Sequence, residues 1–407
     1  MSEWTMLRLG DAITVKHGYA FKGEYFSDVG PGGLLVTPGN FAIGGGFQIG
    51  KAKYYDGPMP DGFILDPGAI VVTMTDLSKG GDTLGYSAKV PNDGRIYLHN
   101  QRIGLTQIVR PDLVDRNFLY YSLQTPLYRS HVLAGATGST VRHTSPSRIY
   151  DYVLRLPGLD IQRMIAAILG IIDEKIAVNE QVARTAFGLA SAMYRRYSEE
   201  RSSWRAIRLA DTARWYSGGT PTTSEPLYWG GATPWISAAS LKSSWIDHSE
   251  RRITALGAVN GTRLVPAGTV IFVVRGSSLK DEFRIGITQR EVAFGQDCKA
   301  LLPVEGVSAD VLFHAIKSRS AQILEMVDET SIGAGRLATE LIQELPVMLP
   351  SSTEDRVVDE LRMLNRLAAA RQGESRLMLS LRDALLPRLM SGEIRVRDAE
   401  REVENAL

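Results

Sequence analysis

The chain repeats itself, and a repeat constrains architecture before any single motif does, because each copy must bury its own core or share one with its twin. Trp4, Arg8, Leu9, Asp11, Gly18 and Gly68 return 200 positions later as Trp204, Arg208, Leu209, Asp211, Gly218 and Gly268. The last pair sits in matching settings, DPGAIVVT from Asp66 and VPAGTVIFVV from Val265. Further on, the offset falls to 195 between Gln101 and Gln296. It then falls to 193, at Leu156-Pro157 against Leu349-Pro350 and at Arg163 against Arg356. Chance supplies one or two such pairs, but an ordered series with a shrinking offset is the mark of shorter loops in a second copy. Duplication also suits the 407 residues, which exceed one ordinary domain.

Each copy has two textures. Residues 1–157 and 204–350 are rich in Gly, Pro, Thr and aromatics, with short β-type runs at Ala69–Thr73 and Thr269–Val274. Tyr120–Tyr128 and Val311–Leu324 read as short helices within them, so each is expected to be a compact α+β head. Residues 158–203 and 351–396 change period. In the first, Ile161, Ile165, Ile168, Ile172 and Ile176 fall three and four apart, which predicts a helix. The second opens on Ser351-Ser352-Thr353 followed by Glu354 and Asp355, a helix start, and runs through Val357, Leu361, Leu364 and Leu367 to Leu385, with Pro387 near its end. Helices of roughly 35–40 residues are about 55–60 Å long.

Such helices need a partner along their length, and the other copy is the obvious one. The expected fold class is α+β: two similar globular heads joined by two long helices that form an antiparallel coiled coil, with an internal pseudo-two-fold repeat. The small residues Ala183, Ala186 and Ala190, and Ala368 to Ala370, suit either the seam of that coil or a docking face for a partner. Residues 397–407 read as a charged, frayed tail.

Charge and motif exclude much. Lys and Arg number 46 against 45 Asp and Glu, and each segment is near balance by itself. Any DNA affinity must therefore come from local placement of basic residues. A single cysteine, Cys298, rules out a disulfide framework and a cysteine-rich zinc site. No run of 18 apolar residues offers a membrane span, and MSEWTMLRLG has no signal pattern, so a cytoplasmic location is expected. Ser277–Lys280 fits the S-x-x-K pattern of serine acylases but lacks its companion motifs. There is no Gly-rich phosphate loop, no H-E-x-x-H and no Asn/Asp-Pro-Pro-Tyr-type methyltransferase motif, and the six histidines have no ligand spacing. Asp173-Glu174-Lys175 resembles the acidic end of a nuclease site, but it lies on a helix face where charges are usually solvated. The chain reads as a non-catalytic binder without a resident metal.

Two similar, non-identical heads suit a ligand with two similar sites, and duplex DNA repeats its grooves every 10–10.5 base pairs. Base reading needs directed donors and acceptors on exposed loops. The first head supplies Thr75, Ser78 and Lys79 in TDLSKGGD, directly after a predicted strand. Its counterpart, RGSSLKDEFR, supplies Arg275, Ser277, Ser278, Lys280 and Arg284. A second pair of loops supplies Ser139, Arg142 and His143, and in the second head Ser331 and Arg336, with Lys242 a further basic candidate. Arg outnumbers Lys 35 to 11, which suits bidentate contacts to guanine or phosphate. A two-headed adapter that binds proteins is the competing class.

The repeated W-x-x-x-R-L opening, the P-G-x-I/V strand and the L-P that precedes each long helix resemble the specificity subunits of Type I restriction–modification systems. PGLDIQRMIAAILGIIDEKIAVNEQ is similar to that family's central helical region, and LRDALLPRLMSGEIRV, Leu381 to Val396, to its C-terminal signature. The resemblance covers residues 4–396. It implies two target-recognition domains that each read half of a bipartite DNA site, with the coil setting the unread gap. It implies no catalysis and no cofactor on this chain. The partners implied are double-stranded DNA, two adenine-N6 methyltransferase subunits that use S-adenosylmethionine, and restriction/translocase subunits that use ATP and Mg. A modification-only enzyme would use the same kind of module. Copy two departs from the pattern at Glu354-Asp355, where the family carries an acid-Gln pair.

Overall fold

The computed structural model describes residues 4–50, 52–78, 80–200, 203–328, 334–352 and 355–406. The chain divides into two compact units, residues 1–175 with 377–407, and residues 176–376. Each unit holds one head and a segment of both long helices, Leu159–Glu200 and Arg356–Ser391. The helices have 42 and 36 residues, close to the lengths expected. In the first unit Ile161 and Ile165 line a cavity with Leu389, and Asp173 bonds Arg382. Rising numbers on one helix thus meet falling numbers on the other, as an antiparallel pair requires.

The heads are built to one plan. In the first, strands Ile13–His17, Ile103–Ile108, Ile70–Thr73 and Ser87–Lys89 lie side by side in that order, all antiparallel. In the second, Ala213–Ser217, Cys298–Pro303, Val270–Val273 and Ile285–Thr288 repeat the order and add Trp245–Ile246 at the edge. A second sheet in each head contains one parallel pair, Gly33–Val36 with Tyr97–His99 and Trp229–Ile236 with Val292–Phe294. A two-stranded strap closes each head and leads into its long helix: Thr5–Arg8 with Val153–Leu156, and Trp204–Arg208 with Pro346–Pro350.

The central strands Ile70–Thr73 and Val270–Val273 are buried throughout, which explains why they read as continuous runs rich in β-branched residues and not as alternating ones. Gln162 fixes the start of the first helix. Its amide donates to the Pro157 and Leu113 carbonyls at 2.8 Å each and accepts from the Asp115 amide at 2.8 Å, with no exposure at all. Ile165, Leu169 and Ile172 on the same face are buried, worth about 1.5–3 kcal/mol apiece.

Three local readings change. Tyr120–Tyr128 is not one helix but the junction of two, Arg116–Ser122 and Pro126–Ala134; Thr125 caps the second, and Pro126 cannot continue the first. Val311–Leu324 likewise splits into Ala309–Ser318 and Ser320–Glu325. The tail is a helix, Val396–Glu404, which buries Ala399 and Val403 four residues apart while its charges face outward. Ala186, Ala190 and Ala368 are buried in the core of the second unit, which assigns them to packing.

Candidate nucleic-acid interface

In both heads the strand that leaves the buried sheet passes directly into the first candidate loop, and the second candidate loop comes back to pair with it. Thr75–Asp76 pairs antiparallel with Arg142–His143, and Arg275–Gly276 with Gly335–Leu337. The same two backbone bonds weld each ribbon to its sheet. The Thr144 amide donates to the Met74 carbonyl at 3.0 Å and the Leu337 amide to Val274 at 2.9 Å. Met74 in turn donates to Arg102 and Val274 to Asp297, at 2.9 Å each. These partners sit at offsets of 200, 195 and 193, so the drifting repeat in the sequence marks positions that are equivalent in space.

In the first head the ribbon is pinned from beneath by Asp76. Burial alone would raise this carboxyl, but hydrogen bonds from the Thr83 hydroxyl and from the Ser78 and Thr83 amides outweigh it and hold the group below the usual carboxylate range. Ser78 then accepts from the Asp82 amide at 2.7 Å, which closes the loop on itself. Sequence reasoning passed over Asp76 because its work is local geometry. The signal was an Asp followed two residues later by Ser, the pattern of a side chain that bonds its own backbone.

Thr75 was expected on an exposed loop and is instead buried, its hydroxyl 3.2 Å from His143 Nδ1. It orients His143, which is exposed, while Arg142 beside it is half-buried. Residues 137–143 form a tight turn, with Thr137 and His143 exchanging backbone bonds of 3.1 and 2.9 Å. Gly138 makes that turn possible: its φ is +90°, and a Cβ there would lie 2.0 Å from the Val141 carbonyl oxygen. Exposed Ser139 sits within it. Lys79 and Ser331 lie outside the described residues.

In the second head Arg275 and Arg336 stand directly opposite each other across the ribbon, both exposed. Ser277–Lys280 is not an open loop but a 3-10 turn anchored by buried Leu279, with Ser277 and Lys280 exposed. The Ser278 hydroxyl is buried and has no hydrogen-bond partner among the described residues. Arg284 is committed to the protein, bonding Glu282 at 3.1 Å and the Ala238 carbonyl at 3.3 Å, so it braces the neighbouring loop and is not presented outward. Lys242 is exposed on a separate cleft beside that loop. The structure thus brings eight of the fourteen candidates onto two equivalent ribbons and their flanks: Thr75, Ser78, Arg142 and His143, then Arg275, Ser277, Lys280 and Arg336.

Asp173 is also not the solvated charge expected. It accepts from the Tyr121 hydroxyl at 2.8 Å and from Arg382 at 3.2 Å, joining head and both helix segments within the first unit. In the second unit His314, 193 positions after Tyr121, lies between Ser191 and Asn365, at 3.3 and 2.9 Å. Burial pushes the His314 ring down, against the Asn365 bond, so it stays neutral. Cys298 lies within a core strand, where burial and then the charge of Asp297 push its thiol up to about 12. Among the described residues no group of three His, Cys, Asp or Glu could hold a metal ion, and no helix is long and apolar enough to cross a membrane.

No family profile matches the chain. It is 27% identical over 167 residues to the specificity subunit of the Type I restriction enzyme EcoR124I/EcoR124II from Escherichia coli, covering 40% of this chain and 41% of the relative. It is 27% identical over 183 residues to the EcoBI specificity subunit from the same organism, covering 44% and 35%. The chain thus spans well under half the length of these curated relatives. Its fold matches a Type I restriction–modification S subunit from M. genitalium with a TM-score of 0.61 and 18% identity, over 95% of this chain and 96% of that one. In sequence and in fold the chain is similar to Type I specificity subunits.

Proposed function

We propose that the chain is the non-catalytic DNA-specificity subunit of a Type I restriction–modification complex, each head reading one half of a bipartite duplex site. One observation carries this reading: two equivalent ribbons, welded to their sheets by the same backbone bonds, present different side chains, Arg142 and His143 in one head and Arg275 and Arg336 in the other. A constant frame with divergent readers is what two different half-sites demand. Arg and Lys around each ribbon contact phosphates and fix its position, while the ribbon side chains read base edges in the major groove. The two long helices set the unread gap. The methyltransferase subunits hold S-adenosylmethionine, and the restriction subunits hold ATP and Mg.

Methylome sequencing of a host expressing the chain with its methyltransferase subunits tests this directly. The expected result is adenine methylation at a site of two fixed halves and a fixed gap. Replacing Arg275 and Arg336 together by alanine relaxes one half only, with about 1–3 kcal/mol of discrimination lost for each bidentate base contact. Equal changes in both halves, or methylation without sequence preference, would overturn the assignment.

A further inference from the structure

A second basic feature lies in the same unit as the second ribbon. Arg251 is exposed, yet its guanidinium is held in the corner of two indoles, 3.8 Å from the Trp229 ring centre and 4.7 Å from that of Trp235. The two rings meet edge to face, 85° apart with centres 5.4 Å apart. Both are themselves fixed: Trp229 donates to the Thr222 carbonyl and Trp235 to the Gly219 carbonyl, at 3.1 Å each. Trp235 is only 4% exposed and so cannot swing away. Because the rings are perpendicular, at most one of them can stack on a face of the planar guanidinium, and among the described residues its N–H groups have neither a carboxylate partner nor a hydrogen bond. An arginine fixed by stacking, with its donors open, has lost most of the rotamer entropy that a long side chain gives up on binding an anion.

The surroundings repeat the theme. Arg251 lines a cleft of about 430 Å³ with Ser237, Ser240, Lys242 and His248. The acid Asp247 at its wall pairs with Arg376 through one oxygen, the other being buried without a hydrogen-bond partner among the described residues, and Glu250 also lines the cleft. The loop that carries Ser237 and Ser240 is closed by reciprocal serine–amide bonds of 2.9 and 3.1 Å. Its Ala238 accepts the Arg284 bond and lies against Gly276 of the ribbon. Cleft and ribbon are therefore two sides of one loop.

Resting on the DNA-recognition reading of the heads, we infer that this cleft is a backbone anchor: Arg251, held by Trp229 and Trp235 and assisted by Lys242, binds a DNA phosphate flanking the second half-site. The ribbon then reads bases in a register that the cleft sets. A phosphate fits these groups better than a base edge does, because the open donors form a fork suited to two oxygens of one tetrahedral anion. The carboxylates of the cleft, Asp247 and Glu250, are offset by Arg376 and Lys242, so Arg251 is the group that decides for an anion.

The test is binding of a 40-base-pair mixed-sequence duplex by the full chain in complex with its methyltransferase subunits, measured between 50 and 200 mM salt. A phosphate contact is sequence-independent, so such a probe suffices. Arg251→Ala is expected to weaken binding about tenfold and to lower the slope of log K against log salt by about 1, with both methylated half-sites unchanged. Trp229→Ala keeps the charge and the slope but releases the clamp, weakening binding about threefold. An unchanged slope in Arg251→Ala, with the wild type binding normally, overturns the anchor and leaves the reading of the heads intact. Relaxation at one base of the second half-site overturns the phosphate assignment. Failure of the wild-type complex to bind duplex overturns the DNA reading itself.

Discussion

Asp173 offers the sharpest test of how the first head is fastened to its helices. Its carboxylate takes the Tyr121 hydroxyl at 2.8 Å on one oxygen and Arg382 at 3.2 Å on the other. The Arg382 side chain is 11% exposed, and its remaining partner is Asp383 at 3.0 Å. Burial first, and the charge of Asp173 second, push the Tyr121 phenol far above its ordinary range, so it is the donor at every working pH. Breaking one side of a buried ion pair costs about 3–5 kcal/mol. Because the Asp173 side chain is 28% exposed and Asp383 compensates part of the Arg382 charge, Asp173→Ala is expected below that range, about 2 kcal/mol. Tyr121→Phe loses one hydrogen bond to a charged group, about 1.5 kcal/mol. Asp173→Ala already destroys that bond, so the double variant should fall short of the sum by about 1 kcal/mol. Urea unfolding read by amide exchange in peptides covering Arg116–Ser122 and residues 159–175 isolates this unit. Additivity within about 0.4 kcal/mol, or a cost below about 1 kcal/mol for Asp173→Ala, would refute the node.

Two further outcomes follow from buried polar groups. His99 is fully buried; burial pulls its ring down from 6.5 to about 4, against the bond from Nε2 to the Ile103 carbonyl. The native ring stays neutral while the unfolded one protonates, so stability is full above pH 6.5 and is lost as pH falls toward 4, by about 2 kcal/mol at pH 5. His99→Gln keeps a donor for Ile103 and should flatten the unfolding profile over that window; parallel profiles would reject it. On the helices of the second unit, Asn179 Nδ2 and Ser375 Oγ are buried without hydrogen-bond partners among the described residues. Asn179→Leu should raise stability by about 1–2 kcal/mol by removing an unmet donor, and a lower melting temperature would contradict this.

What the sequence made legible was whatever depends on period and repetition. Ile161, Ile165, Ile168 and Ile172 mark a helix face because burial recurs with the helical turn, and all but Ile161 are buried. Gly68 and Gly268 mark equivalent turns, with φ of 73° and 81°, because only glycine adopts that backbone freely. The candidate loops were visible as breaks after buried strands. Their pairing was not, because Thr75 and His143 are 68 residues apart and a two-residue ribbon has no period to detect. Asp173 was misjudged for a related reason. The two residues that follow it, Glu174 and Lys175, are charged too, and it is a tyrosine from the head and an arginine from the far end of the chain that engage it. The Trp229–Arg251–Trp235 clamp likewise depends on tertiary approach, although three such residues within 23 positions of a turn-rich segment were a clue.

The two copies have kept their backbone and changed their side chains, and the place where each was allowed to change says what selection holds fixed. The bonds from Thr144 to Met74 and from Leu337 to Val274 are peptide to peptide, indifferent to residue type, so the ribbon stays in place whatever it presents. Beneath it, the first head uses the ion Asp76, and the second uses buried Leu279 in a 3-10 turn, two unrelated ways to stiffen the same strand exit. The head-to-helix joint shows the same freedom. Tyr121 with Asp173 and Arg382 is ionic, while His314, 193 positions after Tyr121, makes a neutral set with Ser191 and Asn365, and both tie head to helix. A buried ion pair has no general advantage over a neutral network of equal fit, so the interchange costs little as long as every member is satisfied. A scaffold whose frame rests on backbone bonds and whose joints tolerate either chemistry can alter its exposed ribbons without altering its fold. That is the property a protein needs if one architecture is to read many different sites.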